Sequence, residues 1–273
     1  MPVKRFHEAY LREALASVLR QTSSAWRLIV VTEPAQAAAL AGLLEDVLAD
    51  PRTVLISNEG RKLAGALNTG MRHATTEFVA SLLGDDLWDD RAVEVLERRI
   101  AESSGADFLH SSRRYVDGEG RSISGVIRGR ASVTLEDFAS GTPVKHLLCW
   151  RRDLALSFGG MDESLDLVDD FDFPWCMAEN GARFSSVPEC LYVYRDHREA
   201  YRLTTHVPQS LQARQLAAVL RKHGLSRAAI RDRVEAARRS YFQQALFTSP
   251  LDRSLKRLRG ADPRHGWRET YAS

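Results

Sequence analysis

The chain has 273 residues, 44% of them hydrophobic, and a formal net charge of +2. A chain of this length and composition can bury a full core, so we expect one main domain with an appended segment. No apolar run approaches the roughly 20 residues of a membrane-spanning helix, and the first residues lack the apolar core of a secretory signal. Three cysteines, Cys149, Cys176 and Cys190, lie in apolar contexts without metal-ligand spacing, and we expect them to be reduced in a cytoplasmic protein.

The first part of the chain alternates between helical and strand-like hydrophobic patterns. In chain order these patterns predict a helix over 10–21, a strand over 27–31, a helix over 35–49, a strand over 53–57, a helix over 63–74, a strand over 77–83, a helix over 89–103 and a strand over 107–111. The alternation favours right-handed crossovers and a mostly parallel central sheet flanked by helices, which is a Rossmann-like α/β fold. In such sheets ligands bind at the carboxyl ends of the strands, where polar residues fall at Glu33, Asn58, Asp85 and Asp86.

Beyond residue 111 the pattern is less regular. It predicts a turn at 117–120 within a hairpin, and strands over 144–150 and 190–197. This half of the body therefore favours mixed sheet topology. His146, in the first of these strands, is a candidate to line an acceptor site, although structural histidines are common.

The end of the chain is basic and the body is acidic. Residues 198–273 hold 16 Lys and Arg against 6 Asp and Glu, whereas residues 1–197 hold 22 against 30. Apolar spacing in the basic part predicts helices over 210–224 and 226–247. One interpretation is that Arg-rich outer faces cover helices packed on the body. The other is peripheral association with anionic lipid headgroups at the inner membrane face, or attraction to an acidic acceptor. Nucleic-acid binding is not favoured, because no recognised module accompanies the charge.

Asp85 and Asp86 follow directly after the strand predicted over 77–83. Adjacent carboxylates at the end of a strand suit a divalent cation such as Mg²⁺ or Mn²⁺, which takes oxygen ligands and is often shared with substrate phosphates. The alternative is a solvated acidic turn, because Asp favours turns for local hydrogen-bonding reasons.

A second acidic cluster contains Asp169, Asp170 and Asp172. Three carboxylates among four residues repel one another, which favours protonation of at least one of them and suits a proton acceptor. The alternative is capping of a helix N-terminus, a role that Asp performs well. The two roles are compatible, because one carboxylate can cap the helix while another faces the substrate.

Five segments occur in an order that is typical of one enzyme family. They are ALASVLRQT (14–22), NEGRKLAGALNTG (58–70), LLGDDLW (82–88), GGMDE (159–163) and the acidic pair Asp169 and Asp170. In this order, over residues 2–197, they resemble the family-two glycosyltransferases. The resemblance implies an A-type glycosyltransferase fold, with a catalytic domain over 1–197 and a basic helical C-terminal extension over 198–273. Within the catalytic domain it implies a nucleotide-binding half over 1–111 and an acceptor-side half over 112–197.

The resemblance implies an inverting, cation-dependent transferase. Such an enzyme moves a sugar from a nucleoside-diphosphate sugar to a hydroxyl or amine, with Mn²⁺ or Mg²⁺ as the cation. The acceptor stays open between a glycan, a lipid-linked glycan and a small-molecule aglycone. A nucleotidyltransferase is an alternative, but no phosphate-cradling glycine-rich loop is visible near the start. The non-enzymatic alternative is a catalytically degenerate nucleotide-binding or scaffold protein.

The site residues that the resemblance implies fall into three groups. The expected cation ligands are Asp85, Asp86 and His197. The expected contacts to the nucleotide sugar are Glu33, Asn58, Gly60, Asn68, Asp85 and Asp86. The expected catalytic base is Asp170, with Asp169 beside it.

The chain also departs from the family pattern. Leu83 stands at the first position of the acidic DxD motif, and Leu67 stands where an arginine often precedes the second asparagine. Arg61 and Lys62 are the nearby candidates for phosphate pairing. Family members usually begin with an apolar strand that ends in a proline. Here only the end of that strand is matched, at Pro2, so we expect the first strand to be missing.

Overall fold

The computed structural model describes residues 1–103, 105–165, 169–197 and 209–247. The chain divides into two compact units, Met1–Arg202 and Leu203–Ser273. Within the ranges given above, no helix is both long enough and apolar enough to cross a lipid bilayer. All three cysteines are free thiols.

The first unit combines helices with two β-sheets. Its strands are β1 (Pro2–Val3), β2 (Leu28–Thr32), β3 (Thr53–Ser57), β4 (Phe78–Ala80), β5 (Leu87–Trp88), β6 (Phe108–Val116), β7 (Leu148–Arg151) and β8 (Phe184–Arg195). Its helices are α1 (Glu8–Leu19), α2 (Ala37–Leu43), α3 (Glu45–Leu48), α4 (Lys62–His73), α5 (Ala92–Glu102), α6 (Leu135–Ser140), α7 (Arg152–Ser157) and α8 (Asp169–Glu179). The helix predicted over 35–49 is divided, because Pro34–Gln36 form a 3₁₀ turn and the backbone leaves helical geometry at Leu44 between α2 and α3.

The strands β1, β2 and β3 form a parallel sheet in that order. Almost every residue of β2 is buried, which is typical of a parallel strand covered on both faces. The helix α1 turns Leu11, Leu15 and Val18 towards the same core, because these positions recur at helical spacing. The pairing of β2 with β3 extends to Thr32 opposite Ser57, so the carboxyl ends of both strands lie at one edge of the sheet.

The first strand is short rather than missing. Pro2 pairs with Val31 and Val3 pairs with Thr32, in parallel register. The α-amino group of Met1 donates a hydrogen bond to the carbonyl oxygen of Ile29 at 2.8 Å. A strand of two residues is too short to show any hydrophobic period, which is why the sequence pattern did not indicate it.

The second sheet has the strand order β4-β7-β6-β8-β5 and is mixed. Its β6 and β8 strands are parallel, whereas its other neighbours are antiparallel. A mostly parallel sheet was expected, and β4 departs from that expectation because it pairs antiparallel with β7. Hydrophobic alternation indicates that strands and helices take turns, but it does not say which later strand lies beside an earlier one. The α/β class and the mixed second half are confirmed.

The second unit contains α9 (Gln209–Lys222) and α10 (Arg227–Phe247). Both helices agree with their predictions to within two residues. Gly224 lies between them with a φ of 76°, in the left-handed region that favours glycine at the end of a helix.

Candidate active site

The acidic loop between β4 and β5 is held by β8. The carboxylate of Asp86 is 1% exposed. One of its oxygens accepts a hydrogen bond from the Tyr192 hydroxyl at 2.7 Å, and the other accepts one from the Arg195 backbone N–H at 2.8 Å. Burial, together with the neighbouring Asp86 carboxylate, raises the pKa of Tyr192 well above its ordinary value, so this hydroxyl remains a donor. Asp86 therefore fixes the loop against β8.

Asp85 points away from this anchor and meets His197. The Asp85 side chain is 34% exposed, and its Oδ2 atom lies 3.1 Å from His197 Nε2. The His197 side chain is only 4% exposed, and its ring centre lies 5.1 Å from that of Tyr10. A carboxylate oxygen and an imidazole nitrogen suit Mn²⁺, and an exposed carboxylate suits Mg²⁺ as well. The pair therefore fits a divalent cation whose remaining ligands come from substrate and water.

Arg195 holds the acidic loop through a hydrogen bond to its backbone. This residue was not among the predicted site residues. Its Nε atom donates to the backbone oxygen of Asp85 at 3.0 Å, and its Nη1 atom donates to that of Gly118 at 3.2 Å. The guanidinium group also pairs with Glu13 and lies 4.5 Å from the centre of the Tyr10 ring. An arginine inside the apolar strand pattern of 190–197 was the available signal, since a buried charge requires partners.

The loop after β3 is built around Asn58. This residue is 8% exposed, and its Oδ1 atom accepts hydrogen bonds from the Gly60 backbone N–H at 2.9 Å and the Thr69 hydroxyl at 3.3 Å. The backbone N–H of Asn58 donates to Thr32 at 2.7 Å, which joins the ends of β2 and β3. Glu33 begins at the same edge, where it forms an ion pair with Lys4 at 3.2 Å. The structure thus brings Glu33 and Asn58 together, as the parallel sheet predicts.

The segments 58–70 and 159–163 form one structural unit. The Asn68 side chain donates to the Met161 carbonyl at 2.9 Å and accepts from the Met161 N–H at 2.8 Å. Glu163 accepts a hydrogen bond from the Arg61 N–H at 2.8 Å and another from the Asn68 amide at 3.2 Å. A Cβ atom on Gly60 would lie 2.7 Å from a Glu163 oxygen, so only glycine permits this approach. The polar atoms of Asn68 are therefore engaged with the protein itself.

Asp170 lies in the first turn of α8, which begins at Asp169. Asp170 as a whole is exposed to solvent, but protein atoms surround its carboxyl group. This desolvation raises the pKa of Asp170 above its ordinary value. Two cations, Arg113 and Lys145, act in the opposite direction. The side chain of Asp169 lies outside the described part of the structure.

Tyr192 contacts both the acidic loop and His146. Its hydroxyl bonds Asp86, and its ring centre is 5.2 Å from that of His146. In the pairing of β6 with β8, Arg113 lies directly opposite Tyr192. After the roles expected from the sequence, we call Asp85, Asp86 and His197 the donor side. We call Asp170 and His146 the acceptor side, together with Arg113 and Lys145, two cations near Asp170 that the sequence analysis did not single out.

Comparison with known proteins agrees with this arrangement. The family described as Glycosyl transferase family 2 matches residues 1–149, which is more than half of the chain. The chain is 26% identical over 198 residues to the O-antigen biosynthesis protein RfbC of Myxococcus xanthus, which covers 71% of this chain but only 15% of RfbC.

Solved structures show the same fold. S. aureus TarS 1-349 in complex with UDP-GlcNAc superposes with a TM-score of 0.62 at 18% identity, over 84% of this chain and 68% of that one. The mannosyltransferase PcManGT of Pyrobaculum calidifontis, in complex with GDP-Man and Mn²⁺, has a TM-score of 0.54 at 20% identity, over 86% of this chain and 67% of that one. The fold is the A-type glycosyltransferase fold, and the chain belongs to glycosyl transferase family 2.

Proposed function

We propose that this protein is a glycosyltransferase that moves a sugar from a nucleoside-diphosphate sugar to a hydroxyl or amine acceptor, with inversion and with a divalent cation. The observation that carries the proposal is the pair of Asp85 and His197, 3.1 Å apart at the end of a rigidly held acidic loop. The structures of TarS with UDP-GlcNAc and of PcManGT with GDP-Man and Mn²⁺ support a nucleotide-sugar donor and a cation.

Asp85 and His197 are the residues that would hold Mn²⁺ or Mg²⁺. When bound, such a cation neutralises the negative charge of the leaving diphosphate. Leu83 has no ligand atom at the first position of the motif, and both carboxylate oxygens of Asp86 already accept hydrogen bonds. We therefore assign Asp86 the role of positioning Asp85 rather than that of a ligand.

Asp170 is the proposed base. A carboxylate with a raised pKa is a better proton acceptor than an ordinary one, and it can take the proton of the acceptor hydroxyl. The acceptor oxygen then bonds to the anomeric carbon of the sugar as the bond from that carbon to the nucleoside diphosphate breaks and the diphosphate leaves. A single displacement with one base inverts the configuration of the transferred carbon. Asp169 precedes it at the start of α8, where a negative charge stabilises the helix because it interacts favourably with the helix dipole.

Nucleotide contacts belong to the edge formed by β2 and β3. Glu33 and Asn58 lie at the carboxyl ends of these strands, where ligands bind in parallel sheets. Gly60 and Asn68 shape the loop beside them. Both polar side-chain atoms of Asn68 bond the protein, so this residue acts on the nucleotide by fixing the backbone. The side-chain oxygen of Asn58 is used in the same way, which leaves its amide N–H groups to donate to the nucleotide.

The extension over 198–273 forms a separate part of the proposal. Its 16 Lys and Arg against 6 Asp and Glu support peripheral association with anionic lipid headgroups. Co-sedimentation with phosphatidylglycerol vesicles at low salt, and its absence with phosphatidylcholine vesicles, is the expected result. Equal binding to both vesicle types would contradict this assignment.

The proposed donor and cation are tested by calorimetric titration of UDP, GDP and dTDP with and without Mn²⁺. We expect one nucleotide to bind, with affinity that falls on the order of tenfold or more when Mn²⁺ is omitted or when Asp85 is changed to Asn. The matched control is Asp90→Asn, an exposed aspartate in the same region. Failure of all three nucleotides to bind, or affinity that is the same without Mn²⁺, would overturn the proposal.

A further inference from the structure

Two cations on the acceptor side lack ion-pair partners. Arg113 lies on β6 and Lys145 lies shortly before β7, and neither forms an ion pair with any described residue. Other arginines nearby are paired: Arg130 with Asp137, and Arg151 with Asp107. Burial lowers the pKa of Lys145, and repulsion from Arg113 lowers it further, whereas attraction to Asp170 raises it. Asp170 is a single negative charge beside two cations.

Buried polar atoms at the same place also lack hydrogen-bond partners. In the ranges that the structure describes, Arg113 Nε and His146 Nδ1 are shielded from solvent and bond nothing. A buried polar atom without a hydrogen-bond partner is destabilising, and a bound ligand can supply the missing partner. Burial, with Arg113 and Lys145 nearby, lowers the pKa of His146 to about 3, so its ring is neutral at physiological pH and can exchange a hydrogen bond with a ligand.

The guanidinium group of Arg113 is oriented by aromatic rings. Its central carbon lies 5.2 Å from the ring centre of Tyr115 and 5.7 Å from that of Tyr194. Such contacts hold the side chain without neutralising its charge. The positive charge of Arg113 lowers the pKa of Asp170, which places the guanidinium group near that carboxyl.

We infer that Arg113, Lys145 and His146 form an anion subsite that binds a phosphate group carried by the acceptor, next to Asp170. The inference rests on the proposed function, because Asp170 defines the acceptor side. A phosphate would supply a counter-charge for two repelling cations and oxygen acceptors for the free Arg113 donor. The substrate class is therefore a phosphorylated acceptor rather than a neutral sugar.

Phosphate at this subsite has two possible sources, the acceptor and the diphosphate of the donor, and one experiment separates them. The full-length protein is saturated with UDP and Mn²⁺ and then titrated with glucose 1-phosphate or with methyl glucoside. The same titrations are made with Arg113→Gln, Lys145→Gln and, as control, Arg27→Gln, an exposed arginine far along the chain from this group. UDP affinity and thermal melting are measured for each variant.

We expect glucose 1-phosphate to bind and methyl glucoside to bind at least about tenfold more weakly, because the phosphate makes charge-assisted hydrogen bonds. Each subsite variant should lose about tenfold in glucose 1-phosphate affinity while its UDP affinity and melting temperature stay unchanged, and Arg27→Gln should match the unmodified protein.

Equal or undetectable binding of the two ligands would overturn the inference. So would a loss of UDP affinity in Arg113→Gln and Lys145→Gln with glucose 1-phosphate binding retained, because the cations would then serve the donor diphosphate. If the unmodified protein binds no nucleotide, the proposed function itself fails, and this result is distinct from the other two.

Discussion

Asp86 on the donor side and Asp170 on the acceptor side have different surroundings. On the donor side, both carboxylate oxygens of Asp86 accept hydrogen bonds. The guanidinium group of the nearby Arg195 donates to Asp85 and Gly118 and pairs with Glu13. On the acceptor side, Asp170 is exposed and its pKa is raised by desolvation, while Arg113 Nε finds no partner in the described residues.

The difference in hydrogen bonding distinguishes residues that maintain the structure of the site from residues that have polar groups available for a ligand. A saturated network is preorganised, because its members have already given up their conformational freedom and their water. A buried polar group without all its hydrogen-bond partners is destabilising, and a ligand that supplies the missing partner removes this cost. We therefore expect changes on the donor side to reduce stability, and changes on the acceptor side to reduce activity while leaving stability nearly unchanged.

The largest effect is expected from Asp170→Asn. Removal of a positioned general base reduces the rate of sugar transfer by about 10³-fold. Because desolvation disfavours the Asp170 carboxylate, a neutral amide of the same size should not lower the free energy of unfolding. Single-turnover kinetics, with UDP affinity measured in parallel, check this result. Asp153→Asn, another exposed aspartate, is the control. Full transfer activity in Asp170→Asn would remove it as the base.

Arg195→Met is expected to act on stability. The side chain is 1% exposed, and the substitution removes its hydrogen bonds to Asp85 and Gly118 together with its ion pair to Glu13. The free energy of unfolding should fall by about 3 kcal/mol, measured by urea denaturation. Arg20→Met, at an arginine that is 51% exposed and pairs with the exposed Asp90, should change it by about 0.5 kcal/mol or less. Similar losses in both variants would show that Arg195 does not anchor the loop.

Local patterns in the sequence predicted part of this arrangement. The alternation of strands and helices and the order of the motifs indicated the α/β fold and placed Glu33 beside Asn58. The resemblance also named Asp85 and His197 together, and the structure brings them to 3.1 Å although 112 residues separate them. Their assigned roles remain predictions.

Other features depend on tertiary contacts that no local pattern contains. The antiparallel pairing of β4 with β7 joins residues about 70 positions apart in the chain, as in Val79 opposite Trp150. Asn68 was expected to contact the nucleotide because its motif suggested it, yet its amide bonds Met161, 93 residues away. The partners of Arg195 lie in α1, in the acidic loop and at Gly118, which are distant from it in the sequence, so no local pattern indicates its role.

Asn68→Ala tests the contact between α4 and the segment 159–163. It leaves the Met161 N–H without its acceptor and Glu163 without one donor, so the free energy of unfolding should fall by about 2 kcal/mol. Denaturation of Asn68→Ala, Glu163→Gln and the double variant measures their coupling energy, with the exposed Asn180→Ala as control. Strict additivity of the two single changes would show that the segments are not held together by this pair.

The smallest effect concerns pH and bears on the acceptor side alone. Desolvation raises the pKa of Asp170, and Lys145 is one of the two cations that hold it down. A base acts as the carboxylate, so kcat/KM is high above this pKa and is lost as the pH falls through it. Lys145→Met removes one opposing cation, so the pKa should rise and the acid limb of the kcat/KM profile should move to higher pH. Lys4→Met, which removes an exposed lysine that pairs with Glu33, should leave the acid limb of the profile in place. A shift to lower pH in Lys145→Met would mean that Lys145 does not face the Asp170 carboxylate, and the acceptor side would then have to be assigned without it.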